Sequence, residues 1–316
     1  MQFLVTGGAG FIGSHLCERL IKEGHAVVCL DDFNDYYDPA IKEENLRFCL
    51  EQRDFKLIRG DILDWDLLAG IFQKNTFDCV VHLAARAGVR PSIQQPRLYQ
   101  KVNVEGTVNI LEMGVRHRIP KTVIASSSSV YGGNTKIPFS EDDPVNRPVS
   151  PYAATKRACE LMACTYHALY QMPVTMLRFF TVYGPRQRPD MAIRKFTELI
   201  VKGKEVPLYG DGTTRRDYTY ITDIIDGILR SIDRCKEYHI YNLGESQTIT
   251  LRDLIGQIEK ALNKAAKIKT LPMQPGDVLV TYADVEKARR ELGYNPQVPV
   301  QQGIGMFVDW YKKTFG

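Results

Sequence analysis

A tyrosine and a lysine, Tyr152 and Lys156, stand four residues apart in the segment S-P-Y-A-A-T-K. Residues at this spacing share one face of a helix, and Ser150 followed by Pro151 is a favourable helix start. A tyrosine phenol titrates near ~10 and is a poor base at neutral pH, but a neighbouring ammonium and the positive end of a helix both favour the phenolate. With Ser127 from a preceding strand end to share the proton, the set suits proton transfer at an alcohol whose carbon loses or gains a hydride.

The Tyr-x-x-x-Lys motif is weak by itself, because amphipathic helices often carry such a pair, and its weight depends on the elements upstream. The short apolar strand Gln2–Thr6 leads into G-x-x-G-x-x-G, with glycines at Gly7, Gly10 and Gly13, then a helix and a second strand that ends at Asp31. Such a glycine turn lets the backbone approach a pyrophosphate at a helix N-terminus, and an acidic residue about 20 positions on accepts the adenosine ribose hydroxyls. A second carboxylate follows the first and would repel a 2′-phosphate, so we expect NAD rather than NADP.

Strands and helices alternate along the first part of the chain, with short turns between them. This order predicts an α/β fold, a Rossmann-type doubly wound parallel sheet, in an NAD-binding domain over residues 1–180. Residues 181–316 are expected to form a smaller, mostly helical C-terminal lobe, of which one or more strands can return to the main sheet. Ligands of such sheets bind beyond the carboxyl ends of the strands, where Ser127, Tyr152 and Thr181 all follow a strand.

The bulk composition argues against several classes of function. The net charge is +4, from 41 basic and 37 acidic residues, which is too small to predict a nucleic-acid or membrane-surface partner. Seven scattered cysteines without a C-x-x-C pair predict neither disulfides nor a zinc site, and no metal is expected. Since no apolar run approaches ~18–20 residues and no signal peptide precedes the first strand, we expect a cytoplasmic protein with reduced thiols.

Over essentially its full length the chain resembles the extended short-chain dehydrogenase/reductases, which act mostly on nucleotide sugars. The segments that carry the resemblance are TGGAGFIG, Asp31, the HLAA strand end at His82–Ala85, Asn103 in NVEGT, SSSSVYG, Tyr152-x-x-x-Lys156 and RRDYTYI around Arg216. The resemblance implies that Ser127, Tyr152 and Lys156 are catalytic, that Arg216 holds the substrate diphosphate, and that the smaller lobe binds the nucleotide sugar. It also implies a homodimer formed through long helices near 98–116 and 151–170.

Substitutions within these motifs favour one branch of the family. Sugar 4,6-dehydratases place Asp-Glu before V-Y-G, and UDP-glucuronate decarboxylases place a glutamate there, where this chain has Ser128 and Ser129. Galactose-type 4-epimerases carry an asparagine at the position of Thr181 and an arginine at that of Gln274. Four longer segments resemble the UDP-glucuronate 4-epimerases: Asp31–Pro39, Ala84–Arg90, Arg178–Ala192 and Pro272–Val278.

That resemblance implies a UDP-sugar substrate, epimerised at C4 through a 4-keto sugar with tightly held NAD that is regenerated each turnover. A 4-ketone beside a C5 carboxylate is prone to lose carbon dioxide, and Thr181, Arg188 and the hydroxyls of Ser128 and Ser129 are candidates for holding the carboxylate. The candidate cofactor residues are Gly7, Gly10, Phe11, Ile12, Gly13, Asp31, Asp32, Asn34, Asp61, Ile62, Leu83, Ala84, Ala85, Asn103, Tyr152 and Lys156. The candidate substrate residues are Arg90, Ser127, Ser128, Ser129, Tyr152, Thr181, Arg188, Arg216 and Asp277.

Several alternatives stay open at this stage. Arg188 and Arg90 are either substrate contacts or solvated loop arginines, Asp61 either meets the adenine or caps a helix, and Asp277 either contacts the uridine ribose or caps a strand. His82, inside an apolar strand, is expected to be a core histidine. The competing functions are a UDP-glucuronate decarboxylase, a UDP-glucose or UDP-N-acetylglucosamine type of 4-epimerase and, from another class, a non-enzymatic NAD sensor.

Overall fold

The computed structural model describes residues 1–273 and 278–316, which divide into two compact units. The first comprises residues 1–133, 144–178 and 225–241, and the second residues 134–143, 179–224 and 242–316. In the described part of the chain, no helix is long and apolar enough to cross a membrane, and no group of three or more His, Cys, Asp or Glu side chains is arranged to hold a metal ion.

The strands are numbered in chain order. They are β1 (Gln2–Thr6), β2 (Ala26–Asp31), β3 (Phe55–Arg59), β4 (Cys79–His82), β5 (Thr122–Ser127), β6 (Val174–Phe179), β7 (Thr181–Tyr183), β8 (Glu205–Tyr209), β9 (Arg215–Arg216), β10 (Tyr218–Tyr220), β11 (Tyr238–Leu243), β12 (Ile249–Thr250) and β13 (Lys267–Leu271). Seven of them form one sheet in the order β11-β6-β5-β4-β1-β2-β3. The registered pairs β3/β2, β2/β1, β1/β4 and β4/β5 are all parallel, which confirms the predicted α/β fold of Rossmann type.

The helices are also numbered in chain order. They are α1 (Phe11–Lys22), α2 (Pro39–Asn45), α3 (Arg47–Leu50), α4 (Trp65–Lys74), α5 (Val89–Gln94), α6 (Pro96–Tyr99), α7 (Gly106–Arg116), α8 (Pro151–Tyr170), α9 (Ala192–Val201), α10 (Ile221–Arg234), α11 (Leu251–Leu262), α12 (Glu286–Leu292) and α13 (Val300–Phe315). A π-helical turn over Gln100–Glu105 joins α6 to α7, and a 3-10 turn over Ser128–Tyr131 follows β5.

Apolar side chains cover both faces of the main sheet. Leu4, Val28 and Val80 on one face pack in a buried cluster with residues of α4 and α7. Successive strand residues point to opposite faces, so Phe3 and Val5, 1% and 0% exposed, belong to the other face. A sheet buried on both faces consists of nearly continuous apolar strands, which is the pattern of this sequence.

The long helix α8 begins as the sequence predicts. The Ser150 hydroxyl accepts a hydrogen bond of 3.2 Å from the Ala153 N–H, and Pro151 occupies the first helical turn. A side-chain cap of this type satisfies one of the free N–H groups at a helix start. The helix ends at Tyr170, and the C-cap residue Gln171 has a left-handed backbone with φ of 55°.

The second unit combines helices with three two-stranded sheets. Strand β7 pairs in parallel with β10, β13 pairs in parallel with β8, and β12 pairs antiparallel with β9. Helices α9, α11 and α13 each bury an apolar face, which includes Phe196, Ile258 and Phe307. Pairing of β7 with β10 brings the chain at Thr181 alongside the chain that follows Arg216.

Candidate functional site

The glycine turn between β1 and α1 is packed so tightly that side chains would not fit. Gly7 has a positive φ of 71°, and a Cβ there would lie 2.7 Å from the Ala84 backbone nitrogen. A Cβ on Gly13 would lie 2.2 Å from the Gly7 carbonyl oxygen. Helix α1 starts at Phe11 without a side-chain cap, so its first N–H groups remain available to a bound anion.

Asp31 ends β2 beside this turn and is 5% exposed. Its carboxylate accepts hydrogen bonds from the backbone N–H groups of Ala9 (3.1 Å) and Phe33 (2.9 Å). It also accepts one of 3.2 Å from the ammonium of Lys42, which is buried. Sequence reasoning missed Lys42, because it lies 11 residues away in α2 and no local motif marks it. Its ammonium fixes the carboxylate next to the glycine turn.

Other candidate cofactor residues line the same edge of the sheet. Asn34 donates its side-chain amide to Asp32 (2.6 Å), and both lie just after Asp31. The Asp61 carboxylate accepts a hydrogen bond of 2.9 Å from the Leu63 N–H within the turn that follows β3, whereas Asp64 caps α4. Beyond β4, Leu83, Ala84 and Ala85 are half-buried, and Phe11 and Ile62 are buried while Ile12 is half-buried.

His82 is a core residue, as its place in an apolar strand predicts. Its ring nitrogens lie 2.7 Å from the Thr6 hydroxyl and 3.1 Å from the Thr107 hydroxyl. Burial, with a smaller contribution from the Lys156 charge, lowers the pKa of His82 to about 3. The imidazole is therefore neutral at physiological pH and has both nitrogens engaged.

The serine run and the start of α8 hold the candidate catalytic residues. Ser127 ends β5, and its hydroxyl oxygen accepts a hydrogen bond of 3.1 Å from the Ser129 N–H. Lys156 is 5% exposed and donates from its ammonium to the Ala125 carbonyl oxygen (2.7 Å). Tyr152 is half-buried in the first turn of α8, and its ring meets that of Tyr99 edge-on with 6.2 Å between centroids.

A buried ion pair that the sequence analysis did not predict lies next to the serine run. Arg178 and Glu160 are 1% and 0% exposed, and the guanidinium donates two hydrogen bonds, of 2.9 and 3.0 Å, to the carboxylate. Ser126 donates to the same carboxylate (2.6 Å), and the Tyr131 hydroxyl accepts from Arg178 (3.0 Å). Residues on both sides of Ser127 are thus joined through one buried network.

Asn103 joins the π-helical turn to α8. It is 1% exposed, its amide donates to the Thr155 hydroxyl (3.1 Å) and the Arg86 carbonyl (3.0 Å), and its oxygen accepts from the Arg86 N–H (2.7 Å). The helical segment that contains Asn103 begins at Pro96, close to the start of the helix expected near 98–116. π-helical turns of this kind often occur at functional sites. The remaining candidates of the first unit are Arg90, exposed in α5, and the half-buried Ser128 and Ser129.

In the second unit, the candidate Arg188 is already paired. Its guanidinium donates two hydrogen bonds of 3.0 Å to the Asp190 carboxylate in a bidentate arrangement. The two side chains are 21% and 42% exposed, so the pair is accessible to water. An exposed pair of this kind is worth about 0–1 kcal/mol, so another carboxylate can compete for the guanidinium.

Arg216 and Thr181 lie on neighbouring segments of the second unit. The Arg216 guanidinium donates to the carbonyl oxygens of Arg215 (2.9 Å) and Leu279 (3.3 Å). Thr181 is half-buried, and its N–H donates to the Asp217 carbonyl (3.1 Å). The candidate Asp277 lies outside the described residues.

Sequence reasoning missed two buried carboxylates, Asp217 and Glu245. Asp217 comes directly after Arg216, and the Glu245 N–H donates to the Asp217 carboxylate. Burial raises the pKa of Asp217 to about 7, although four hydrogen bonds to its carboxylate act in the opposite direction. Burial, followed by the charges of Asp223 and Asp217, raises the pKa of Glu245 to about 8. One buried oxygen of Glu245, Oε2, has no hydrogen-bond partner among the described residues.

Comparison with known proteins gives a match over nearly the whole chain. The family model described as GDP-mannose 4,6 dehydratase matches residues 4–307. An uncharacterized protein of Methanocaldococcus jannaschii is 50% identical over 312 residues, which are 98% of this chain and 96% of that protein. The UDP-glucuronate 4-epimerase of Thermodesulfobacterium geofontis is 42% identical over 313 residues, 99% of this chain and 96% of that protein.

The fold is similar to solved structures in the same group. The crystal structure of UDP-glucuronic acid 4-epimerase from Bacillus cereus, in complex with UDP-glucuronic acid and NAD, superposes with a TM-score of 0.95. The two sequences are 37% identical, and the match covers 100% of each chain. Similarity therefore extends through both units at a level that goes beyond fold alone.

Proposed function

We infer the function of this protein from a family membership that the comparisons establish: the chain belongs to the family described as GDP-mannose 4,6 dehydratase. Within that family it is an NAD-dependent 4-epimerase that interconverts UDP-glucuronate and UDP-galacturonate through a 4-keto sugar. The observation that carries this conclusion is the full-length similarity to an enzyme crystallised with UDP-glucuronic acid and NAD. The alternatives, a decarboxylase, a neutral-sugar epimerase and a non-enzymatic sensor, are less favoured by the UDP-glucuronate 4-epimerases among the relatives.

The first unit supplies the cofactor site in this proposal. The positions of Gly7 and Gly13 have no room for a Cβ, which suits close approach of a pyrophosphate to the start of α1. Asp31 is the proposed acceptor for the adenosine ribose hydroxyls. Asp32, Asn34, Asp61, Ile62 and the small residues Ala84 and Ala85 extend this site, with Asn103 and Lys156 at the nicotinamide end. Bound NAD supplies the acceptor and then the donor of a hydride.

Tyr152, Lys156 and Ser127 carry the proton transfer. Tyr152 takes the proton of the sugar 4-hydroxyl and later returns it, and Lys156 lies one helical turn further along α8. Since the Ser127 oxygen already accepts from the Ser129 N–H, its own proton is available to the substrate oxygen. The 4-keto sugar turns within the site between the two hydride transfers.

The sugar carboxylate is held by Arg188, Thr181 and the hydroxyls of Ser128 and Ser129 in this proposal. Decarboxylation is easiest when the bond from C5 to the carboxyl carbon is perpendicular to the plane of the 4-ketone, so a site that holds the carboxylate away from this orientation suppresses the loss of carbon dioxide. The two serines stand where dehydratases carry the acid and base that dehydration needs. Because Asp190 already engages Arg188, the substrate carboxylate must share or displace it. Arg216 holds the diphosphate, and Arg90 and Asp277 are further proposed substrate contacts.

The proposed assembly is a homodimer formed through α7 and α8. Leu161, Thr165 and Leu169 are spaced four residues apart on α8 and all exposed, with Leu161 and Leu169 at 53% and 66%. Two exposed leucines on one face of a helix suit packing against a second copy. The proposed location is the cytoplasm, where the seven free thiols stay reduced.

The function is tested by incubating the purified protein with UDP-glucuronate, without added cofactor, and following the products by proton NMR. UDP-galacturonate should appear and reach an equilibrium mixture, which also requires retained NAD. The Tyr152→Phe variant removes the phenol proton and should lower kcat by about 10²- to 10⁴-fold, with its NAD content unchanged. Formation of UDP-xylose or a 4-keto pentose would contradict the assignment, as would turnover of UDP-glucose in place of UDP-glucuronate.

A further inference from the structure

Asp217 is a fully buried carboxylate directly after Arg216, at 0% exposure. Its two oxygens accept four hydrogen bonds, from the N–H groups of Glu245 (2.8 Å), Ser246 (3.1 Å) and Ala283 (3.1 Å) and from the Thr219 hydroxyl (3.3 Å). Backbone N–H groups buried without an acceptor are costly, so this carboxylate is the reason that three of them can be buried here.

The three backbone donors belong to two segments distant in sequence. Glu245 and Ser246 lie in the turn that follows β11, and Ala283 lies near the end of the segment 278–283. Gly244 allows the approach, because a Cβ there would lie 3.2 Å from an Asp217 oxygen and 2.4 Å from the Ala283 Cβ. The carboxylate therefore fastens both segments to the end of β9.

The backbone of Asp217 extends the same connection to a third segment. Its carbonyl accepts from the Thr181 N–H (3.1 Å), and its N–H donates to the Thr281 hydroxyl oxygen (3.4 Å). The neighbouring Arg215 donates its N–H to the Leu279 carbonyl (2.9 Å) and accepts from the Thr281 N–H (3.1 Å). One buried residue thus joins β7, β9 and the segment 278–283.

Each of these segments bears on a proposed substrate contact. Thr181 begins β7, Arg216 ends β9, and the segment 278–283 follows Asp277 in sequence. The Arg216 guanidinium is itself held by the carbonyls of Arg215 and Leu279, which belong to the framework that Asp217 fastens. We propose that Asp217 is a positioning residue that holds Arg216, the proposed diphosphate-binding side chain, in its working arrangement. This inference rests on the proposed function, because it takes UDP-glucuronate as the substrate.

The distinctive consequence is a change in KM without a matching change in kcat. Contacts to the uridine diphosphate are the same in the ground state and the transition state, so their loss raises KM and leaves kcat nearly unchanged. A variant that merely folded less well would show the opposite, a lower kcat from fewer active molecules with an unchanged KM.

The test is Asp217→Asn, which keeps the shape but turns one acceptor oxygen into an N–H donor that faces other donors. We expect KM for UDP-glucuronate and the Kd for UDP, measured by calorimetry, to rise about 10- to 100-fold, since hydrogen bonds that hold the segments around Arg216 are lost. The NAD content and kcat should stay within about threefold of the unmodified protein. The matched control is Asp253→Asn, the same change at an exposed carboxylate of the second unit, which should leave KM and the Kd unchanged.

Two outcomes would overturn the inference. One is binding of UDP by the Asp217→Asn variant as tight as that of the unmodified protein, and the other is a fall in kcat with an unchanged KM. Failure of the unmodified protein to bind UDP would instead refute the proposed function, and the inference with it.

A second variant keeps the test decisive if Asp217→Asn does not fold. Thr281→Val removes the acceptor of the Asp217 N–H at a buried site and keeps the side-chain shape. Because one hydrogen bond is lost, we expect KM and the Kd for UDP to rise about two- to tenfold with kcat unchanged. A Thr281→Val protein with unchanged UDP affinity would overturn the inference as well.

Discussion

Glu160 in the first unit and Asp217 in the second are both 0% exposed carboxylates, yet their hydrogen-bond donors differ in kind. Glu160 is held by two charged side chains and one hydroxyl, with two hydrogen bonds from Arg178, one of 2.9 Å from Arg157 and one of 2.6 Å from Ser126. Asp217 is held by three backbone N–H groups and one hydroxyl. The first arrangement neutralises the buried charge, and the second solvates it without a counter-charge.

The difference appears in the pKa values. Burial alone would raise the pKa of Glu160, but the hydrogen bonds and charge of Arg178 outweigh it and hold that pKa below its ordinary value. In the second unit, burial prevails and raises the pKa of Asp217 to about 7 and that of Glu245 to about 8. The Glu160 carboxylate therefore stays charged at neutral pH, whereas the raised pKa values of Asp217 and Glu245 place their titration near neutral pH.

The largest expected effect comes from removing the main counter-charge of the buried carboxylate in the first unit. Arg178→Met removes the buried cation and leaves the Glu160 carboxylate with Arg157, which is 26% exposed, as its remaining ion-pair partner. Breaking a buried pair in this way should lower the free energy of unfolding by about 3–5 kcal/mol at pH 8. The loss should be smaller at pH 5, because Glu160 without its cation takes up a proton and avoids a buried charge. Urea denaturation at both pH values measures this.

The matched control is Arg230→Met, the same change at an exposed pair with Asp226, where the two side chains are 44% and 39% exposed. It should cost no more than about 0.5 kcal/mol at either pH. If Arg178→Met lost the same amount at pH 5 as at pH 8, the cost would come from packing and not from the uncompensated charge.

What the sequence predicts and what it misses depend on how far apart in the chain the contacting residues lie. The glycine turn, Asp31 at a strand end and the cap of α8 at Ser150 are visible because each depends on residues close together in the chain. Lys42 and the Arg178–Glu160 pair depend on contacts between residues 11 and 18 positions apart, on elements whose packing no local pattern specifies. The donors to Asp217 lie as far as 66 residues away, so its role emerges only from tertiary structure.

The second prediction concerns the titration of Glu245 in the second unit. Glu245 keeps its proton in the folded state up to about pH 8, while in the unfolded chain it releases the proton near its ordinary value. The unfolded state therefore binds fewer protons between these values, and stability falls as the pH rises through that window. Glu245→Gln cannot titrate, so its free energy of unfolding relative to the unmodified protein should rise by at least ~1 kcal/mol between pH 5 and pH 9. Denaturant unfolding at a series of pH values measures the difference.

A suitable control is Glu205→Gln, at an exposed pair with Lys269 in the same unit. Its effect should stay within about 1 kcal/mol and show no gain at high pH. A Glu245→Gln curve parallel to that of the unmodified protein would mean that Glu245 is already ionised at neutral pH. The contrast between the units would then rest on Asp217 alone.

The smallest expected effects come from removing one helix cap in each unit. The two variants should differ in activity and not in charge. Ser150 caps α8 through the Ala153 N–H (3.2 Å), and Thr250 caps α11 through the Asp253 N–H (3.0 Å). Replacing either with alanine should lower the free energy of unfolding by about 1 kcal/mol, because one N–H at the helix start loses its acceptor. Ser150→Ala should also lower kcat about three- to tenfold, since α8 carries the proposed catalytic Tyr152 in its first turn and a small displacement of such a group slows the reaction. Thr250→Ala should leave kcat and KM unchanged, and equal kcat values for the two variants would show that the cap of α8 serves stability without positioning the tyrosine.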